Sequence, residues 1–212
     1  DILKTNGQEI YFSPENFYRR GRPLPGPIFE KSLAPDYSRP QGETKILTAF
    51  PPQSLVEKAK IDKSGNLLLT GDTLVIFENR AISGYDVSNP DLPKEKWKVN
   101  LKDNSYLVAS RLQDRKIYLV TQTSVNSGAP CPILPLEVKG HALSIPCTDV
   151  YHPVVEVPVD VTYVAMILDP QTGGIENTLS FVGASGSSVI YMSKNALYVA
   201  YGYAGDFIAV FY

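Results

Sequence analysis

Four stretches decide the fold: Glu9-Ile10-Tyr11-Phe12, Thr73-Leu74-Val75-Ile76-Phe77, Lys116-Ile117-Tyr118-Leu119-Val120 and Ala196-Leu197-Tyr198-Val199. Each follows a turn signal: Asn6-Gly7, Gly71-Asp72, Asp114-Arg115 and Lys194-Asn195. They are rich in Ile, Val and Tyr and too short for helices, so they read as strands. With Ile10, Leu74, Ile117 and Leu197 as anchors, the spacings are 64, 43 and 80. Proline explains the irregularity. Residues 13–42 hold 6 of the 17 prolines, and residues 123–160 hold 6 more. Proline gives no N–H to a ladder and is excluded from central strands, so both segments read as insertions. Without them the period settles near 43, the size of a four-stranded blade.

Outward from the anchors, a second strand is expected over 45–50, 81–87 and 162–168, each ending in a Pro, Asp, Asn or Gly corner. A third covers 55–61, 96–101 and 177–181. In 96–101, Trp97, Val99 and Leu101 alternate with Lys96, Lys98 and Asn100, as in a sheet with one wet face. A fourth, over 66–70, 105–112 and 187–192, leads into the next unit. The fold class is therefore all-β: a β-propeller of four-stranded antiparallel blades, about three of them in this chain, with two Pro-rich insertions. Residues 1–212 form a partial propeller. Continuation beyond 212 is expected, with the remaining blades in the same chain or in a second one.

Composition narrows the function classes. A hydrophobic fraction of 43% excludes disorder. A net charge of -2 leaves no general electrostatic hold on nucleic acid. No apolar run reaches the ~20 residues of a membrane-spanning helix. Cys131 and Cys147, 16 positions apart, fit neither zinc-ligand pairs nor a redox Cys-x-x-Cys. Two readings stand, a local disulfide or two reduced core thiols. The disulfide is preferred, because it would pin a loop with little core of its own and imply an oxidising compartment.

Signals for chemistry are sparse. Asp149-x-x-His152 needs a third converging group to bind metal or move protons, and its plainer reading is a loop histidine bonded to backbone. His141 is the other histidine. Gly183-Ala184-Ser185-Gly186-Ser187 is not a nucleophile elbow, since position 187 is not Gly and a strand follows. Asp86-x-Ser88-x-Pro90-Asp91 alternates oxygen ligands but lacks the Gly and Glu of a calcium loop, and reads as an Asx-capped hairpin. No cofactor fingerprint is present. The first insertion gathers Phe17, Tyr18, Arg19, Arg20, Arg22, Phe29 and Tyr37. Arginine with aromatics is the composition of binding hot spots, and the same residues could serve as pegs for self-packing. Tyr11, Tyr118 and Tyr198 recur at one place in the unit, which suits packing between blades better than a carbohydrate platform.

Asp1-Ile2-Leu3-Lys4-Thr5-Asn6-Gly7 with its following Tyr-bearing strand, and Ala49-Phe50-Pro51-Pro52, resemble secreted bacterial and archaeal proteins with a C-terminal β-propeller domain, distant relatives of WD-repeat proteins. Tyr85-Asp86-Val87-Ser88-Asn89-Pro90, Cys147-Thr148-Asp149-Val150-Tyr151-His152-Pro153 and Phe181-Val182-Gly183-Ala184-Ser185-Gly186 are similar to that family as well. Residues 13–42 depart from it. The resemblance implies a secreted or cell-surface propeller and carries over no catalytic residue. The preferred function is a non-catalytic binding or scaffold module meeting a protein or glycan partner through Phe17, Tyr18, Arg19, Arg20, Arg22, Tyr37 and the Cys131–Cys147 loop. The alternatives are an extracellular glycan-active hydrolase or lyase, and a structural subunit assembling by strand addition.

Overall fold

The computed structural model describes residues 1–14, 42–154, 159–185, 188–193, 196–203 and 206–211. They form an all-β molecule of four sheets in sequence order, antiparallel throughout except for one added parallel strand in the third. The first is β1 (Leu3–Thr5), β2 (Glu9–Phe12), β3 (Thr44–Thr48) and β4 (Glu57–Ile61). The second is built on β5 (Asn66–Thr70), β6 (Thr73–Phe77), β7 (Ala81–Asp86) and β8 (Lys94–Leu101). The third is built on β9 (Ser105–Gln113), β10 (Lys116–Ser124), β14 (Val161–Leu168) and β15 (Ile175–Gly183), and the fourth holds β16 (Ser188–Met192), β17 (Leu197–Tyr203) and β18 (Asp206–Phe211). No strand pairing joins the first sheet to the last among the described residues.

The anchors fall where the spacing places them. Ile10, Leu74, Ile117 and Leu197 each lie in the second strand of a sheet, opposite Thr5, Leu69, Leu112 and Met192 of the strand before. The sequence reading divides the units one strand late. The strand taken as the end of each unit pairs into the sheet that follows it, so β1, β5, β9 and β16 open their sheets. The turns explain the tight pairing. Asp114 and Arg115 both have positive φ, at 48° and 62°, the geometry of a two-residue hairpin that follows the natural strand twist.

The two faces of each sheet divide between its neighbours. Leu67, Leu74, Ile76, Tyr85 and Val87 of the second sheet pack on Tyr11, Ile46 and Ile61 of the first. From its opposite face, Val75, Phe77, Ile82, Trp97, Val99 and Leu101 pack on Ile117, Leu119, Val164, Met166 and Leu168 of the third. Val120, Tyr163 and Phe181 of the third then meet Val199 of the fourth. Strand alternation thus supplies two apolar faces per sheet, and each junction is a sandwich of two of them.

Trp97 fastens the middle junction. Its indole Nε1 donates 2.8 Å to the carbonyl of Pro170, in the turn between β14 and β15. A Cβ on Gly84 would lie 2.2 Å from the indole, and one on Gly173 would lie 2.6 Å from it. Gly173 also sits at φ +68. Both sites therefore require glycine.

The second insertion carries short strands of its own. It contributes β11 (Leu136–Val138), β12 (His141–Ala142) and β13 (Val150–Tyr151). These strands do not extend one sheet. β11 adds antiparallel to β8 of the second sheet, whereas β13 adds parallel to β15 of the third. These short strands run between the prolines: β12 and β13 are edge strands, and β11 lies between β12 and β8.

Candidate interaction surface

The insertion is built as a strap. Its base closes where Val125 N–H donates 2.9 Å to Asp160 O. Cys131 and Cys147 are joined by the disulfide preferred from the sequence, with Cα atoms 5.6 Å apart. Just inside the bond, Ile133 and Ile145 exchange backbone hydrogen bonds of 2.9 and 3.0 Å. Ile133, Leu136 and Ile145 are buried in the core between the second and third sheets, so the strap is pegged from below. Lys102 Nζ holds Glu137 at 2.6 Å. Lys139 and Gly140, at φ 50° and 81°, turn β11 into β12 and leave Lys139, His141 and Ala142 exposed at the tip. The chain then crosses to the third sheet, where Ser180 Oγ donates 2.9 Å to Asp149 O. Tyr151 and Val154, 61% and 102% exposed, end the ridge. The strap thus exposes a cationic group, an imidazole and apolar groups.

On the opposite side, the opening strands β1, β5 and β9 frame a cleft of about 530 Å³. Lys4, Asn66, Leu68, Ser110 and Arg111 line it. Lys4 Nζ is 2.7 Å from Asp1, and Arg111 Nη1 donates 2.8 Å to Ser110 O. The clearly shifted titrating groups lie elsewhere. Burial, then Glu9 and Asp72, push the Tyr11 phenol up to about 12. Partial burial pulls the Lys63 ammonium down, but its bond to Glu95 and its contacts with Tyr85 and Glu78 outweigh this and leave it above the ordinary lysine value. The same bond holds Glu95 low. Lys63 follows β4, while Glu95 lies on β8, so this pair rivets the first sheet to the second.

The sequence-derived candidates distribute as follows. Phe17, Tyr18, Arg19, Arg20, Arg22, Phe29 and Tyr37 lie outside the described residues. His152 Nδ1 is 2.9 Å from Pro153 O, which it can only meet as a donor, and Asp149 Oδ1 accepts from Thr148, so Asp149 and His152 do not converge. Asp86 Oδ1 accepts the Ser88 N–H and Asn89 Oδ1 accepts that of Asp91, the expected Asx-capped turn. Ser185 bonds Asp160 through its N–H and its hydroxyl, in a turn leading to a strand. Tyr11 is 1% exposed inside the first junction, whereas Tyr118 and Tyr198 are half-buried. Sequence reasoning missed the strap hairpin, although Leu136-Glu137-Val138, Lys139-Gly140 and His141-Ala142-Leu143 carry its alternation and turn.

Comparison with known proteins bears on this geometry. Residues 1–208 match the sequence profile described as the beta propeller domain. The chain belongs to that family. It is similar to an uncharacterized protein of Archaeoglobus fulgidus, 41% identical over 206 residues, covering 97% of this chain and 30% of that protein. It is also similar to uncharacterized protein MJ1554 of Methanocaldococcus jannaschii, 33% identical over 207 residues, covering 95% and 27%. The chain spans less than a third of the length of these relatives.

Proposed function

We propose that this beta propeller domain is a non-catalytic binding or scaffold module of a secreted or cell-surface protein, and that it meets a protein or glycan partner through its insertions. One observation carries the reading: the loop closed by the Cys131–Cys147 disulfide is pegged by three buried side chains, Ile133, Leu136 and Ile145, while its tip at Lys139, His141 and Ala142 is exposed. A preorganised surface spends less binding free energy on ordering than a free loop. The disulfide also suits an oxidising compartment. The secreted location, and a C-terminal place in a longer protein, rest on the family resemblance.

The test uses the full-length protein, a glycan array and chemical cross-linking at the cell surface. Replacing Arg19, Arg20 and Arg22 by Ala, and separately Lys139 and His141 by Ala, should weaken capture by about tenfold or more, one to two hot-spot contacts, without moving Tm. Capture unchanged in both variants discards the reading. The cleft between β1, β5 and β9 favours a second reading, the glycan-active hydrolase or lyase. Polysaccharide turnover that falls on Arg111→Ala would establish it.

A further inference from the structure

The cleft along the opening strands has a continuation. A second hollow of about 330 Å³ adjoins it, and Asn66, Phe77 and Leu107 line both. Glu78, Asn79 and Tyr106 line the second hollow, whereas Ser110 and Arg111 line the first. Tyr106 and Arg111 lie on the same strand, β9. Their separation along it is about 17 Å, long enough for an oligomer.

The side chains of this groove supply a flat face, hydrogen-bonding groups and one unbalanced charge. Tyr106 is 53% exposed. Arg80 braces its ring, with the guanidinium carbon 5.8 Å from the ring centroid. The same guanidinium is anchored, donating 3.1 Å to Ser105 O and 2.7 Å to Lys102 O. Tyr106 is thus held in place with half of its surface open. Asn66, Asn79 and Ser110 add amides and a hydroxyl. The carboxylates are already balanced, Asp1 by Lys4 at 2.7 Å and Glu78 by Lys63 at 3.9 Å. Arg111 is not. Its Nη1 donates to Ser110 O, and no carboxylate among the described residues pairs with it.

We propose that this groove binds an acidic oligosaccharide, one whose sugars carry a carboxylate. A sugar ring lies on Tyr106, hydroxyls meet Asn66 and Asn79, and the carboxylate meets Arg111. An aromatic ring gives the C–H face of a sugar an apolar platform. Amides both donate and accept, as hydroxyls do. The guanidinium fork matches a carboxylate with two parallel bonds. A peptide strand added to the outer edge of β9 would rest on backbone groups and be indifferent to these side chains. The inference rests on the glycan side of the reading above, moves the contact from the insertions to the opening strands, and requires no turnover.

The test puts the full-length protein on an array of uronate oligosaccharides, each beside its methyl ester, and titrates the strongest hit by calorimetry. The free acid should bind about tenfold or more tighter than the ester, the difference made by one charge-assisted fork. Arg111→Gln should erase that preference. Tyr106→Ala should weaken acid and ester alike by about tenfold, and Tyr106→Phe should restore both. Both side chains are exposed, so Tm should hold in each variant. An array without a uronate hit overturns the proposal, and so does a preference that survives Arg111→Gln. Loss of the hit in Lys139→Ala with His141→Ala, but not in Tyr106→Ala, puts the sugar on the strap. In that case this inference falls while the binding role stands.

Discussion

Trp97 shows how much of a junction can rest on one side chain and two absent ones. Its ring is flanked by Gly84 and by Gly173, and its only polar atom is spent on Pro170 O. Gly84→Ala forces the indole aside and should cost about 2 kcal/mol or more, within the range of overpacked cores. Trp97→Phe keeps an aromatic but leaves the Pro170 carbonyl without its donor, and should cost about 1–3 kcal/mol. The two changes should not add, because Phe relieves the clash that Ala creates. A double-mutant cycle on Tm measures this, and strict additivity would count against the contact as described. The alternation of Trp97 with Val99 and Leu101 was plain in the sequence, and so was the face it takes. Its glycine partners were not. Gly84 belongs to the neighbouring strand and Gly173 to the next sheet, and only pairing brings them to the ring.

Among the elements, the strap departs furthest from its sequence reading. Proline density correctly marks it as inserted, but the marker is silent about the short runs between prolines. Leu136–Val138 has three residues, below the length at which periodicity separates strand from loop, and its partner β8 precedes it by a whole hairpin. The disulfide is legible only as a preference, since spacing does not say whether two thiols are oxidised or reduced. Cys131→Ser with Cys147→Ser should lower stability by up to about 3 kcal/mol in the chain-entropy model. The buried pegs should keep the strap in place at room temperature. Melting with and without a reductant checks the first claim. Hydrogen exchange at Leu136–Val138, unchanged by reduction, checks the second.

Across the whole molecule, charge pairs between sheets and within them give stability a pH profile. Glu95 and Asp169 both titrate below their ordinary values of 4.5 and 3.8. The unfolded chain therefore takes up protons first as the solution is acidified, so their contribution is present above about pH 4.5 and is lost as pH falls through the folded values. Glu95→Gln should flatten this acid limb of a Tm-against-pH curve. On the alkaline side Tyr11, raised to about 12, favours the folded state below its ordinary 10.0 and withdraws that support as pH rises towards 12. Tyr11→Phe should flatten that limb, with Tyr85, also raised by burial, keeping part of it. An unchanged alkaline slope would place the raised phenol elsewhere. The sheets were legible because burial on both faces repeats a pattern at fixed register. The strap was not, because inserted loops obey no period.

The strap belongs by sequence to the third sheet, and by hydrogen bonding it is held to the second sheet as well as to the third. Neither sheet can therefore melt by itself: opening the second at β8 strips β11 away, and opening the third at β10 or β14 pulls the ends of the strap apart. In a chain of modules that otherwise touch only their neighbours, such a link turns two units of unfolding into one. A single sharp transition shared by these two sheets, separate from the melting of the first, is the calorimetric signature it should leave.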